Sequence, residues 1–75
     1  MTRKQFLHSI DKLVELPKGT LQGMEKLHEL ERWNSMAMIG FIALADTNNG
    51  VTVSPTQIMG CATVADLLKA AQVDN

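Results

Sequence analysis

Apolar residues at Phe6, Leu7, Ile10, Leu13 and Val14 recur at three- and four-residue spacing, which predicts an amphipathic helix near the start of the chain. Thr2 and Gln5 stand at capping-box spacing, and Pro17 with Gly19 closes the segment. From Pro17 to Trp33 the pattern loosens, with glycines at 19 and 23 and anchors at Leu21, Met24, Leu27, Leu30 and Trp33. This predicts a long loop pinned to the core, with one helical turn from Glu25 to Leu30.

A second helix is expected to begin at Ser35, with Asn34 as its N-cap, and to run to about Thr47 before the turn Asn48-Asn49-Gly50. Its apolar residues, Met36, Met38, Ile39, Phe41, Ile42 and Leu44, take up nearly the whole circumference. Such a helix needs burial on more than one side, by its own core and by a partner. Val51-Thr52-Val53 alternates like a strand, but with no second strand to pair with it reads as an extended connection. Ser54-Pro55-Thr56-Gln57 combines a capping box with proline at the first helical position and announces a short third helix ending at Gly60. Thr63 and Asp66 repeat that grammar and open a last helix through Val64, Leu67, Leu68 and Ala71.

The pattern therefore predicts an all-α fold of four helices, with a long first loop and a short third helix. Its core is expected from Phe6, Leu7, Ile10, Leu13, Val14, Leu30, Phe41, Ile42, Val53, Ile58, Val64, Leu67 and Leu68, closed at the edges by Leu27, Trp33 and Val51. At 75 residues the chain reads as one domain, 1–75, with a frayed tail over the last few residues.

Charge narrows the function classes. Seven basic against eight acidic residues leave a net charge of −1, too little of either sign for phosphate-backbone binding, so nucleic acid is not an expected partner. The longest apolar stretch, Met36 to Ala45, is about half the length of a membrane span, and the polar start Thr2-Arg3-Lys4-Gln5 lacks the apolar region of a signal peptide. A cytoplasmic monomer is expected. The lone Cys61 fits a reducing compartment and reads as a small buried apolar residue. Neither His8 nor His28 stands at metal-ligand spacing with it, so no metal site is expected. Asp46-Thr47-Asn48-Asn49-Gly50 has its glycine one position early for a calcium loop, and Gln57 replaces the bidentate glutamate.

The run Trp33-Asn34-Ser35-Met36 carries the most chemistry. It sets a lone serine in the exposed first turn of the most apolar helix, with no positioned base to activate it. An attachment point fits that setting better than a nucleophile. Three further features surround it in order: the leucine-pinned loop, a Gly-Val-x-Val-x-Pro connector at Gly50 to Pro55, and a Thr-Val-x-Asp-Leu opening at Thr63 to Leu67.

In these residues and in their order the chain resembles the acyl carrier proteins and peptidyl carrier domains. The resemblance covers nearly its whole length and implies a four-helix bundle of acyl-carrier type. The family's hallmark is Asp-Ser-Leu at the start of the second helix, matched here by Asn34, Ser35 and Met36. The likeness implies a 4′-phosphopantetheine arm on Ser35, transferred from coenzyme A by a separate phosphopantetheinyl transferase. It implies a carrier that is not itself an enzyme, holding an acyl or aminoacyl group as a thioester for acyl-loading and acyl-using enzymes.

The chain departs from that family in two places. Asn34 replaces the aspartate that, in the family, pairs with a basic residue of the transferase; it still caps a helix but brings no charge. The second helix has Asp46 as its only acid, and Ala37 and Gly40 count among its expected exposed positions. Partner contact is then expected through Met36, Ile39 and Ala43, beside Asn34. Gly40, about 1 kcal/mol worse than alanine inside a helix, leaves room for a partner or an acyl chain. The modest acidity points to a specialised biosynthetic pathway. The rival reading is an unmodified helical interaction module on the same fold. A hydrolase using Ser35 is a third, and it would turn over activated esters.

Overall fold

The computed structural model describes residues 2–73. Among them the chain forms four α-helices and no strands: α1 (Arg3–Leu13), α2 (Ser35–Asn49), α3 (Pro55–Met59) and α4 (Val64–Ala70), with a 3-10 turn at Leu27–Glu29 in the first loop. The frayed tail expected at the C-terminus falls mainly on residues 74 and 75, outside the described residues.

Each helix begins where its polar residues dictate. Thr2, Ser54 and Thr63 accept hydrogen bonds from the N–H groups of Gln5, Gln57 and Asp66, and those three side chains return to the caps' own N–H groups. Two orphan donors are satisfied at each start, a contribution of about 1 kcal/mol per cap. Gly50 ends α2 in the left-handed region, at φ 64°, where a side chain would be strained. The second helix thereby runs two residues beyond the expected Thr47.

One apolar core holds the four helices together. Phe6, Ile10, Phe41, Ile58, Val64, Leu67 and Leu68 are all but fully buried. Phe41 sits at its centre, with the rings of Phe6 and Trp33 meeting it edge-on at centroid distances of 6.0 and 6.5 Å.

Three expected core residues, Leu13, Leu30 and Ile42, are only half-buried and pack against the core from outside. Their places are taken by Leu21 and by the small residues Ala37, Ala45 and Ala71. The α2 stripe facing inward is Ala37-Phe41-Ala45, and its two alanines let neighbouring segments come close to the helix axis. Ala37, expected on the exposed side, is thus an inward residue at 3% exposure.

Gly40 has an equally local explanation. A Cβ there would lie 2.5 Å from Cδ2 of Leu13, so the missing side chain admits a leucine of α1, where a partner or an acyl chain was expected.

The long loop is held at two points. Asp11, 1% exposed, accepts hydrogen bonds from the N–H groups of Gly19 (2.9 Å) and Leu21 (3.0 Å), one on each carboxylate oxygen. Farther on, Lys26 and Thr63 form an antiparallel bridge. Around it Leu27 N–H donates to Ala62 C=O, Val64 N–H to Glu25 C=O and Ala65 N–H to Gly23 C=O, at 2.7–3.0 Å. The loop is thereby stitched to the start of α4 and returns to α2 along a fixed path.

Candidate functional site

The start of α2 is set by the residues on either side of it. Trp33 donates its N–H to Leu30 C=O at 3.1 Å and lays its ring against Phe41, which fixes the chain just before the helix. Asn34 then takes an extended conformation, and its side-chain oxygen accepts the N–H of Ala37 at 3.0 Å. Met38 N–H closes the first turn on Asn34 C=O at 2.9 Å.

Ser35 follows as the first helical residue and is exposed. The capping work belongs to Asn34, which leaves the serine hydroxyl outside the cap. The N–H groups of the first turn, on a 15-residue helix, make a positive end that favours an added anion by about 0.3–1 kcal/mol. The first turn holds no acid to oppose one.

Two other serines give a measure of this placement. Ser54 also stands at a helix start, but there it is the cap itself, its hydroxyl accepting the Gln57 N–H at 3.2 Å, on a helix of five residues. Ser9 lies half-buried within α1. Ser35 alone combines an exposed hydroxyl with the first turn of a long helix.

Met36 and Ile39 flank the serine at 78% and 63% exposure, large values for apolar side chains, and Ala43 is exposed one turn farther on. Spacings of three and four residues put Met36, Ile39 and Ala43 on one face of α2. Asn34 is exposed at its head. The structure therefore puts Met36, Ile39 and Ala43 on one apolar outward face, while Ala37 turns into the core and Gly40 packs against Leu13 of α1.

Other chemistry is sparse. His28 is exposed on the 3-10 turn, and His8 is half-buried on α1. Cys61 is half-buried, less enclosed than expected, and its thiol lies 3.3 Å from Gln57 C=O. Burial, with the negative charge of Asp66, pushes that thiol above its ordinary pKa, so it stays protonated and weakly nucleophilic. Among the described residues no three His, Cys, Asp or Glu side chains gather as a metal set. No described helix is long and apolar enough to cross a membrane.

A groove of about 580 Å³ is lined from α1, the loop after it and Asn48, with no residue from the start of α2. A smaller one of about 380 Å³ runs between α1 and α2 past Leu13, Gly40, Ala43 and Leu44. Sequence reasoning passed over Asp11, although its position continues the Leu7 stripe at four-residue spacing. No family model matches the chain, and the comparisons with curated proteins and with solved structures return no match either.

Proposed function

We propose that the chain is a carrier protein that bears a 4′-phosphopantetheine arm on Ser35 and presents an acyl or aminoacyl thioester to partner enzymes. The observation that carries this reading is the exposed Ser35 hydroxyl at the first position of α2, left out of the cap by Asn34. A phosphodiester formed there sits at the positive end of the helix. The arm supplies the reactive thiol when bound, while Ser35 holds it and the helix places it in solvent.

Attachment joins the serine oxygen to the phosphorus of coenzyme A's phosphopantetheine, with loss of adenosine 3′,5′-bisphosphate and of the serine proton. The transferase and its metal ion stabilise that transfer. On this reading the chain catalyses nothing itself. Met36, Ile39 and Ala43 give the transferase and the acyl-handling enzymes an apolar surface in place of the charge that Asn34 does not supply. A specialised biosynthetic pathway fits this neutral face.

The second reading, an unmodified interaction module, rests on the same exposed face and on the neutral Asn34. Intact-mass measurement after incubation with coenzyme A, magnesium and a promiscuous transferase separates the two. Addition of one arm, lost in Ser35→Ala, is the carrier's result. A folded chain that several transferases leave unmodified is the module's.

A further inference from the structure

Four of the seven lysines and arginines, Arg3, Lys4, Lys12 and Lys18, lie within residues 3–18, against two of the eight acids, Asp11 and Glu15. All four cations line a pair of adjoining open grooves along α1, of about 580 and 430 Å³, and His8 lines both. Asp11 is the one carboxylate among the described lining residues, and its two oxygens are already taken by the N–H groups of Gly19 and Leu21. The other acid of this stretch, Glu15, faces Arg32 at 3.8 Å. Among the described residues the grooves thus present cations with no free carboxylate to answer them.

We infer that these grooves form a docking surface for an extended acidic peptide segment of a partner protein. Lys4, His8 and Lys12 stand one turn apart along α1, a spacing of about 6 Å. Alternate residues of an extended peptide repeat on one side at about 6.6 Å, so successive acidic side chains fall in step with that row. The half-buried Leu16 gives the larger of the two grooves an apolar lining beside Lys12 and Lys18, which suits a peptide with apolar residues among its acids.

A nucleic acid would instead meet a chain of net charge −1 whose other regions hold six of the eight acids. A membrane surface needs apolar side chains to insert beside the cations, but among the described residues the exposed large ones, Met24, Met36, Ile39 and Met59, all lie outside α1. The inference is independent of any modification at Ser35.

Fluorescence anisotropy with a labelled peptide of alternating glutamate and valine tests it on the full chain at low and moderate salt. The expected result is saturable binding that weakens with salt and falls about tenfold in a Lys12→Glu, Lys18→Glu variant, in line with two exposed charge contacts reversed. Circular dichroism checks that the variant is folded, and two-dimensional NMR should place the shifted amides at His8, Lys12 and Lys18. No binding overturns the proposal. So does equal binding of the glutamine-valine peptide, indifference to the charge reversal, or binding of inorganic phosphate or phosphatidylglycerol vesicles without the peptide.

Discussion

Helices α1 and α2 lie against the same core, yet they treat their outward faces in opposite ways. α1 buries Phe6, Leu7 and Ile10 and turns Lys4 and Lys12 to water, so its apolar residues are used up by folding. α2 buries Ala37, Phe41 and Ala45 and still leaves Met36 and Ile39 more than half exposed. Folding alone accounts for the apolar residues of the first helix. The second carries apolar surface in excess of what its own core consumes, and that surplus begins beside Ser35.

The largest effect expected on this contrast comes from α2's inward face. Phe41→Ala removes the ring at the centre of the core and should cost about 3–5 kcal/mol, enough to unfold much of so small a domain. Urea titration followed by circular dichroism measures it, and a loss below 1 kcal/mol would mean that the inward face of α2 is wrongly assigned. Next comes the loop anchor: Asp11→Ala leaves the buried Leu21 N–H and the part-buried Gly19 N–H without an acceptor and should cost about 2–3 kcal/mol in the same assay. Asp11→Asn, which keeps one acceptor oxygen, should lose less.

The outward face should behave differently. A Met36→Ser, Ile39→Ser variant should keep its stability within about 0.5 kcal/mol while the rate of arm transfer to Ser35 falls. A large stability loss would erase the distinction between the two faces. Asn34→Asp keeps the cap and restores a charge, so transfer should speed up with little change in the urea midpoint.

The smallest effect lies at the seam between the loop and α4. Burial raises the Glu25 carboxyl, but the N–H groups of Gln22 and Gly23 outweigh it and hold the group below its ordinary 4.5. The N–H groups of Ala62 and Thr63 hold Asp66 below its ordinary 3.8. Both groups bind protons less readily in the folded chain than in the unfolded one. Their stabilisation is therefore complete above those ordinary values and is lost as pH falls through the lowered ones. Glu25→Gln should flatten the acid limb of a thermal-stability profile below pH 4.5 and leave the neutral plateau in shape.

Much of this fold was legible because its helix starts are written in local chemistry. Thr2, Asn34, Ser54 and Thr63 each cap the helix that the spacing of their neighbours announces. The inward face of α2 was not legible. With apolar residues all round the helix, hydrophobicity carries no direction, and small size at Ala37 and Ala45 decides which side packs. Gly40 shows the same limit, since its meaning depends on where Leu13 of another helix falls. Asp11 was hidden because a buried carboxylate makes sense only once the loop brings Gly19 and Leu21 to it. At the candidate site, exposure of Ser35, Met36 and Ile39 followed from the cap position, while Ala37 and Gly40 needed the packing.

Fragmentation of the intact protein after incubation with coenzyme A and a transferase tests the central claim most directly, because Ser9, Ser35 and Ser54 compete in one experiment. The account predicts a single phosphopantetheine on Ser35, with Ser9 and the hydrogen-bonded Ser54 untouched. An arm on either of those, or a folded chain that stays bare beside a modified control carrier, would contradict it.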